Sequence, residues 1–207
     1  MTTKIRRINL YSGPSAGKST YSAALFSHIK HQTQHSVELV REYVKDWAYE
    51  NRVPKGLDQW YISAQQIRRE EIPLRNGVEL VVTDCPLLLN CYYAYKNNVP
   101  GWQSLVDLSR EFEKLYPSLN IVLKREKPFV QLGRFQNEFE SRTIDTEVVS
   151  FLQDTVKVNN ICHYSGKRLP ELYDELFMRY CGRLDDYINN FRIKNNDNPS
   201  IYVGDIK

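Results

Sequence analysis

The stretch that decides the fold is YSGPSAGKST, residues Tyr11–Thr20. It contains the second half of the pattern G-x-x-x-x-G-K-[ST], in which backbone N–H groups surround phosphate oxygens at a helix N-terminus. The first glycine of that pattern is expected at Ser12, but the sequence has it one residue later, at Gly13. A β-rich run, IRRINLY, leads into the stretch and a helix-like segment follows it, which is the context the motif requires. The sequence therefore predicts a phosphate-binding loop and not a chance glycine turn.

The loop residues are expected to have separate roles around a bound nucleotide. Lys18 supplies positive charge to the β- and γ-phosphates, the hydroxyl of Ser19 binds Mg²⁺, and Thr20 lies near the α-phosphate. The displaced glycine affects only the first turn, which Ser12 can make if its φ stays negative. The predicted nucleotide-binding residues are Gly13, Pro14, Ser15, Ala16, Gly17, Lys18, Ser19 and Thr20.

Short apolar runs alternate with helix-like segments along the chain, which predicts βαβ units around a parallel sheet. The predicted fold is α/β, with three layers and a mainly parallel five-stranded sheet. The 207 residues suit a single domain, 1–207, with a lid insertion at about 125–145. Strands are predicted at 4–11, 36–40, 78–83, 120–124 and 160–164, with a last edge strand at 201–205. Helices are predicted at 19–30, 58–75, 87–97, 102–116, 144–158 and 170–192.

Composition and charge argue against several classes of protein. The net charge of +3 is too small to indicate nucleic-acid binding, and no apolar run reaches membrane-spanning length. The first residues lack the apolar segment of a signal peptide, so we expect a cytoplasmic protein. The histidines near the first helix end have no carboxylate at ligand spacing, which argues against a metal site; they are His28, His31 and His35. The cysteines lack a C-x-x-C or zinc-type pattern and are expected to be reduced thiols; they are Cys85, Cys91, Cys162 and Cys181.

Two carboxylates follow predicted strands, at the sheet edge where open α/β proteins bind ligands. Asp84 ends the run VELVVT and is expected to hold Mg²⁺ directly or through water. It also suits an N-cap for the helix from Leu87, and the two roles are compatible. Glu42 follows the second strand and Arg41, where a carboxylate can orient or deprotonate an acceptor hydroxyl. The alternative for Glu42 is a solvated charge pair.

Two further segments are candidates for the substrate side. The aromatic cluster around Tyr43, Trp47 and Tyr49 suits a planar base stacked in a pocket, and it equally suits an ordinary core. The polar segment KREKPFVQLGRFQNEFESR carries Arg134 and Arg142, which are eight residues apart and lie on related faces of a helical lid. Lid arginines supply the positive charge that a transferring phosphoryl group needs. The alternative is a surface loop rich in charge.

Several motifs together resemble a known group of enzymes. They are GPSAGKST, the RE after the second strand, the helix AQQIRREE, VVTDCP, KPFVQLGR with ESRTID, and HYSGKR before the last helix. The chain resembles small P-loop kinases of the NadR-type ribosylnicotinamide kinase group and AAA_28-like ATP-binding proteins, which are related to deoxynucleoside and thymidylate kinases. Small proteins of this kind are common in bacteriophage genomes, which suggests a phage origin.

The resemblance implies a P-loop NTPase fold of the nucleoside and nucleotide kinase type, with ATP and Mg²⁺ as cofactors. It makes Glu42 an acceptor-site acid, Asp84 the acid beside Mg²⁺, and Gln65 a substrate-side residue. Arg134 and Arg142 become lid arginines. The sequence departs from deoxynucleoside kinases at TDCP, which replaces an acid–arginine pair, so the resemblance does not identify the acceptor.

The leading function is an ATP-dependent phosphotransferase acting on the hydroxyl of a nucleoside-like small molecule, either ribosylnicotinamide or a (deoxy)nucleoside. The alternatives are a nucleoside monophosphate kinase, a kinase of nucleic-acid ends or modified bases, and a nucleotide-binding ATPase that is not a kinase. Near-balanced charge disfavours the nucleic-acid alternative. No membrane partner is expected, and a homo-oligomer is compatible with the aromatic-rich helices. The predicted catalytic residues are Lys18, Glu42, Asp84, Arg134 and Arg142, and the predicted substrate residues are Arg41, Trp47, Gln65 and Arg68.

Overall fold

A parallel sheet forms the centre of the protein and places the phosphate loop at the carboxyl ends of its strands. The structure is a computed structural model that describes residues 4–158 and 161–179. The strands run in the order β2-β3-β1-β4-β5, and each neighbouring pair is parallel. The central strand β1 is buried along its whole length, as expected for a parallel strand covered on both faces. The strands are β1 (Arg7–Tyr11), β2 (Val37–Val40), β3 (Leu80–Thr83), β4 (Ser118–Leu123) and β5 (Ile161–Tyr164).

Helices connect the strands and cover both faces of the sheet. The last turns after α6 and α7 are π-helical, over Phe151–Val156 and Asp174–Arg179 respectively. A short 3-10 turn, Gly166–Arg168, precedes α7. The α-helices are α1 (Lys18–Gln32), α2 (Lys45–Tyr49), α3 (Asp58–Arg75), α4 (Leu87–Lys96), α5 (Trp102–Leu115), α6 (Glu138–Ser150) and α7 (Leu169–Tyr173).

Two apolar clusters, one on each face of the sheet, make the fold three-layered. On one face, β1 residues such as Leu10 pack with Leu25 of α1 and Leu172 of α7. On the other face, the cluster joins α3 to α6, with Leu89 of α4 and Ile144 of α6 among its members. The predicted α/β fold with a parallel five-stranded sheet is confirmed.

The start of α6 corrects the predicted helix boundaries. The sequence predicts a polar segment up to Ser141 and a helix from Ile144, whereas α6 begins at Glu138. Asn137 and Glu140 form a capping box: the Asn137 side chain accepts from Glu140 N at 2.9 Å, and Asn137 N donates to the Glu140 carboxylate at 2.8 Å. Residues that cap a helix are polar, so the first turn of α6 resembles a loop in the sequence.

The remaining sequence predictions concern the cysteines, a metal site, the C-terminal elements and membrane-spanning segments. Cys85, Cys91 and Cys162 are free and buried, whereas Cys181 lies outside the described residues. The predicted edge strand 201–205 and residues 180–192 of the last predicted helix also lie outside them. In the part of the chain that the structure describes, no group of three potential metal-ligating side chains occurs. Within that same part, no helix combines the length and apolarity needed to cross a membrane.

The displaced glycine has a packing explanation. α6 approaches the first turn of the loop so closely that a Cβ atom on Gly13 would lie 2.1 Å from the carbonyl oxygen of Ser141. No side chain fits at that distance, so glycine is required at this position by the neighbouring helix. Ser12 is buried and is not among the residues with positive φ, so it makes the turn without glycine. The loop motif is therefore shifted because α6 occupies the space beside residue 13.

Exchanging the two residues should impair the protein. The double variant Ser12→Gly/Gly13→Ser restores the usual motif spacing but places a side chain against Ser141, and it should lose about 1–3 kcal/mol of unfolding free energy. Chemical denaturation monitored by circular dichroism measures this loss. The single variant Ser12→Gly is the control and should lose less than about 1 kcal/mol. Equal stability of the double variant and wild type would contradict the packing explanation.

Candidate functional site

The loop between β1 and α1 folds around its own lysine. The Lys18 ammonium donates to the carbonyl oxygens of Ser12 at 2.7 Å and Gly13 at 3.0 Å. Ser15 and Gly17 adopt left-handed conformations, with φ of 60° and 102°. The loop therefore has the curled backbone and the helix N-terminus of an anion-binding nest.

The two predicted carboxylates lie together at the ends of β2 and β3. Asp84 is buried, and its Oδ1 accepts from the backbone N–H of Glu42 at 2.9 Å. Asp84 does not cap α4, whose N-cap is Pro86 without a side-chain hydrogen bond. The N-cap alternative for Asp84 is therefore wrong, while its position between Glu42 and the loop suits a role beside a metal ion.

Burial shifts the pKa values of two charged groups in this region in opposite directions, in each case toward the neutral form. Burial raises the pKa of the Glu42 carboxyl; Lys18 opposes the rise and Asp84 adds to it. Burial lowers the pKa of the Lys18 ammonium, and Glu42 is the foremost of the acids that oppose this change. Each group thus depends on the other to stay charged, and a perturbed pair of this kind in a cleft is typical of functional sites.

One cavity of about 430 Å³ joins the phosphate loop to Glu42, whereas Asp84 is buried beside Glu42 and does not line the cavity. Lys18 and Ser19 line one end, and Glu42 stands beside them. The wall beyond Glu42 comes from α2, from Gln59 in the first turn of α3, and from α4 along its length as far as Asn97. The lid loop, residues 124–137 between β4 and α6, contributes the opposite wall. The volume falls in the range typical of small-molecule sites.

The lid loop brings one of the two predicted arginines into the cavity. Arg134 lines it, and its guanidinium donates to the carbonyl oxygen of Gly133 at 2.8 Å. Lys127, which the sequence analysis did not single out, lines the cavity as well. Arg142 is exposed on α6 and pairs with Glu138 at 2.8 Å. Arg134 and Arg142 thus do not converge, since Arg142 lies on a different side of the lid.

The predicted substrate residues do not line the cavity. Arg41 and Arg68 are exposed and Gln65 is partly buried, yet none of them forms part of the cavity wall. The neighbouring residue Gln66 is fully buried, and its side chain accepts from the backbone N–H of Tyr43 at 3.1 Å. Gln66 therefore supports the chain after Glu42 from behind and does not face a ligand.

Trp47 belongs to a packed aromatic cluster. It is 6% exposed and stacks on Tyr61 with ring centroids 6.4 Å apart, and the Arg52 guanidinium lies 3.5 Å from its ring centroid. Tyr43 donates from its hydroxyl to that of Tyr61 at 3.0 Å. Of the two interpretations of this cluster, ordinary packing is the one that the geometry favours.

Two amides that the sequence analysis missed line the far end of the cavity. Gln59 of α3 donates from Nε2 to the Oδ1 atom of Asn90 on α4 at 3.3 Å, and both side chains are largely buried. Nδ2 of Asn90 has no partner among the described residues. Asn90, Tyr93 and Asn97 all line the cavity at a spacing of three and four residues. The signal in the sequence that could have revealed these α4 residues is the helical spacing of polar side chains within the apolar run LLLNCYYAYKN.

Comparison with known proteins relates this architecture to a family. The solved structure of deoxyadenosine kinase from M. mycoides with bound dATP is similar in fold, with a TM-score of 0.50 and 17% sequence identity. That likeness covers 81% of this chain and 96% of the other. No curated protein matches the sequence. A family model described as an AAA domain, AAA_28, matches residues 7–156, which span the phosphate loop, both strand-end carboxylates and α6. The chain belongs to the AAA_28 family of P-loop domains.

Proposed function

We propose that the protein transfers the γ-phosphoryl group of ATP·Mg²⁺ to a hydroxyl of a nucleoside-like small molecule. The observation that carries this proposal is that Lys18, Glu42 and Arg134 line a single cavity although they come from three separate segments. Phosphoryl transfer needs positive charge around the moving group and a carboxylate beside the attacking hydroxyl. This arrangement supplies both at one place.

The position of Lys18 indicates which end of the cavity would hold the triphosphate. In phosphate loops the lysine reaches the β- and γ-phosphates, so the Lys18 ammonium marks the end of the triphosphate. Glu42 and Asp84 follow β2 and β3, which lie on one side of β1 in the sheet, and the charges of both act on Lys18. The acceptor therefore enters from the side of β2 and β3, between Glu42 and α4, and Arg134 of the lid loop faces the transferring group.

Ser19 and Asp84 are the residues that would hold Mg²⁺, with Asp84 bound to it directly or through water. Mg²⁺ keeps several waters and is bound through one or two protein oxygens together with substrate phosphates. A serine hydroxyl at the start of α1 and one buried carboxylate match that demand, and no larger ligand cage is needed. A bound Mg²⁺ would neutralise charge that develops on the phosphate oxygens.

The far end of the cavity supports a neutral, planar acceptor. Apolar side chains of Val53 and Leu89 line it together with the ring of Tyr93. Nδ2 of Asn90, whose Oδ1 accepts from Gln59, has no partner among the described residues and offers a hydrogen-bond donor beside these side chains. A nucleobase or a nicotinamide ring combines a flat apolar face with a polar edge. The fold neighbour is a deoxyadenosine kinase, which makes deoxyadenosine one natural candidate.

A second candidate, a nucleoside monophosphate kinase, is supported by Lys45. Its side chain adds a positive charge to the α2 wall of the cavity, near Glu42. A phosphate on the acceptor would find a partner there. The predicted substrate residues Arg41 and Arg68 do not line the cavity, so this candidate depends on Lys45.

One transfer assay separates these functions. The protein is incubated with labelled ATP·Mg²⁺ and a panel of nucleosides, their monophosphates, nicotinamide riboside and DNA ends. We expect transfer to a nucleoside hydroxyl. Transfer only to monophosphates would favour the second candidate, transfer only to DNA would contradict both, and slow hydrolysis without transfer would indicate a non-kinase ATPase. Lys18→Ala should abolish transfer, because it removes the charge on the β- and γ-phosphates.

Glu42→Gln should remove the acid limb of the pH–rate profile. Burial raises the pKa of Glu42, so the wild-type kcat/KM should fall as the pH drops through a midpoint above the ordinary value of 4.5. The base is active only when it is deprotonated, which sets the sign of this dependence. The variant should be about 100- to 10,000-fold slower on the plateau, with a flat acid limb. An unchanged profile in Glu42→Gln would exclude Glu42 as the base.

The two lid arginines provide a matched comparison. Arg134→Ala should lower kcat on the order of 1,000-fold, because a cation facing the transferring phosphoryl group acts mainly in the transition state. Arg142→Ala removes only an exposed pair with Glu138 and should stay within about twofold of wild type. Steady-state kinetics with saturating ATP measures both. Similar losses in the two variants would show that Arg142 also reaches the site.

A further inference from the structure

An acid that the proposed chemistry does not use reaches the phosphate loop from α6. Asp145 is the last residue of the ESRTID segment, and its Oδ1 accepts from the backbone N–H of Gly13 at 2.6 Å. A carboxylate beside a phosphate site is unfavourable by charge alone. Its position there calls for a physical explanation.

Arg125 compensates the charge of Asp145 and extends the contact. Its Nε donates to Oδ2 of Asp145 at 2.6 Å, and its Nη2 donates to Oδ1 at 3.1 Å. The same Nη2 donates to the carbonyl oxygen of Pro14 at 3.1 Å, and the Ser141 hydroxyl donates to that carbonyl as well. The Arg125 side chain is only 10% exposed, so this forked pair is largely shielded from water.

These contacts fix the first turn of the loop from outside, while Lys18 fixes it from inside. Lys18 binds the carbonyls of Ser12 and Gly13, Asp145 binds the N–H of Gly13, and Arg125 binds the carbonyl of Pro14. Proline has no N–H, so the donors left to face a phosphate begin at residue 15. Side chains thus engage the carbonyls of residues 12, 13 and 14 and the N–H of Gly13.

We propose that Arg125 and Asp145 are positioning residues that hold the phosphate loop in its nucleotide-binding shape before nucleotide arrives. The pair acts through the backbone of Gly13 and Pro14 and does not touch the phosphates itself. A loop ordered in advance loses less conformational freedom on binding, which increases affinity. This inference rests on the proposed binding of ATP at the loop.

Asp145→Asn tests the pair, with Glu147→Gln as its matched control. Asn keeps an oxygen for Gly13 but turns an amide group toward Arg125 and removes the ion pair. Glu147 lies on the same helix and pairs with Lys96 and Tyr92 of α4, away from the loop. Arg125→Lys is a second variant, which keeps the charge but loses the fork. Asp145→Glu, which restores the carboxylate, should recover part of any loss.

Two measurements on these proteins decide the proposal. Hydrogen–deuterium exchange of the peptide covering 11–20, without nucleotide, should be about tenfold faster in Asp145→Asn and Arg125→Lys than in wild type. Titration with a non-hydrolysable ATP analogue and Mg²⁺ should show about tenfold weaker binding in the same variants. Glu147→Gln should match wild type in both, even where its melting temperature falls equally.

The outcomes separate this inference from the proposed function. Unchanged exchange in Asp145→Asn and Arg125→Lys, or an equal change in Glu147→Gln, overturns the positioning role even if the wild type is an active kinase. Faster exchange without any loss of affinity shows a merely structural pair and also overturns it. A wild type that binds no ATP analogue overturns the proposed function together with the inference, whatever the exchange shows.

Discussion

The carbonyl oxygen of Ser141 lies against Gly13 so closely that no side chain fits between them, and the rest of the site depends on this contact. It fixes the N-terminal half of α6 beside the end of β1. The lid loop that precedes α6 must therefore cross directly over the phosphate loop, where the Val130 N–H donates to the Ser15 hydroxyl at 2.8 Å. Arg134 reaches the cavity because both ends of its segment are held in this way. A change in how α6 packs would thus move the phosphate loop and the lid together.

The charges of the site show a second consequence of this closed arrangement. Glu42 and Lys18 each lose water, and burial shifts the pKa of both toward the neutral form. Their mutual attraction opposes these shifts, so each group favours the charged form of the other. Removing either partner of a buried charged pair lowers stability, because the other charge is then buried without compensation. Both groups lie at the carboxyl end of the sheet, where ligands bind in α/β proteins.

The sequence predicted the features that depend on local residue patterns, and it missed those that depend on contacts between segments distant in the chain. All five described strands were found, because parallel strands buried on both faces form apolar runs. Glu42 and Asp84 were both expected after strands, and the structure adds that they lie side by side, because β2 and β3 are neighbours in the sheet. Arg142 was expected in the cavity, but the capping box starts α6 earlier and turns Arg142 to the surface. Asn90 was missed although Asn90, Tyr93 and Asn97 are spaced as one face of a helix, because that spacing alone does not show that the face lines a cavity.

The base and the tip of the lid loop are held by contacts of different kinds. At the base, the Arg125–Asp145 pair is shielded and forked, and its charged hydrogen bonds are the strong kind. At the tip, Gly133 rests against the ring of Tyr49, where a Cβ atom would come within 2.9 Å, and Tyr49 itself is 56% exposed. Such an exposed contact opens at lower cost than the base. The contacts at the base are therefore the more shielded of the two, and they are also the ones that join this segment to the backbone of Gly13 and Pro14.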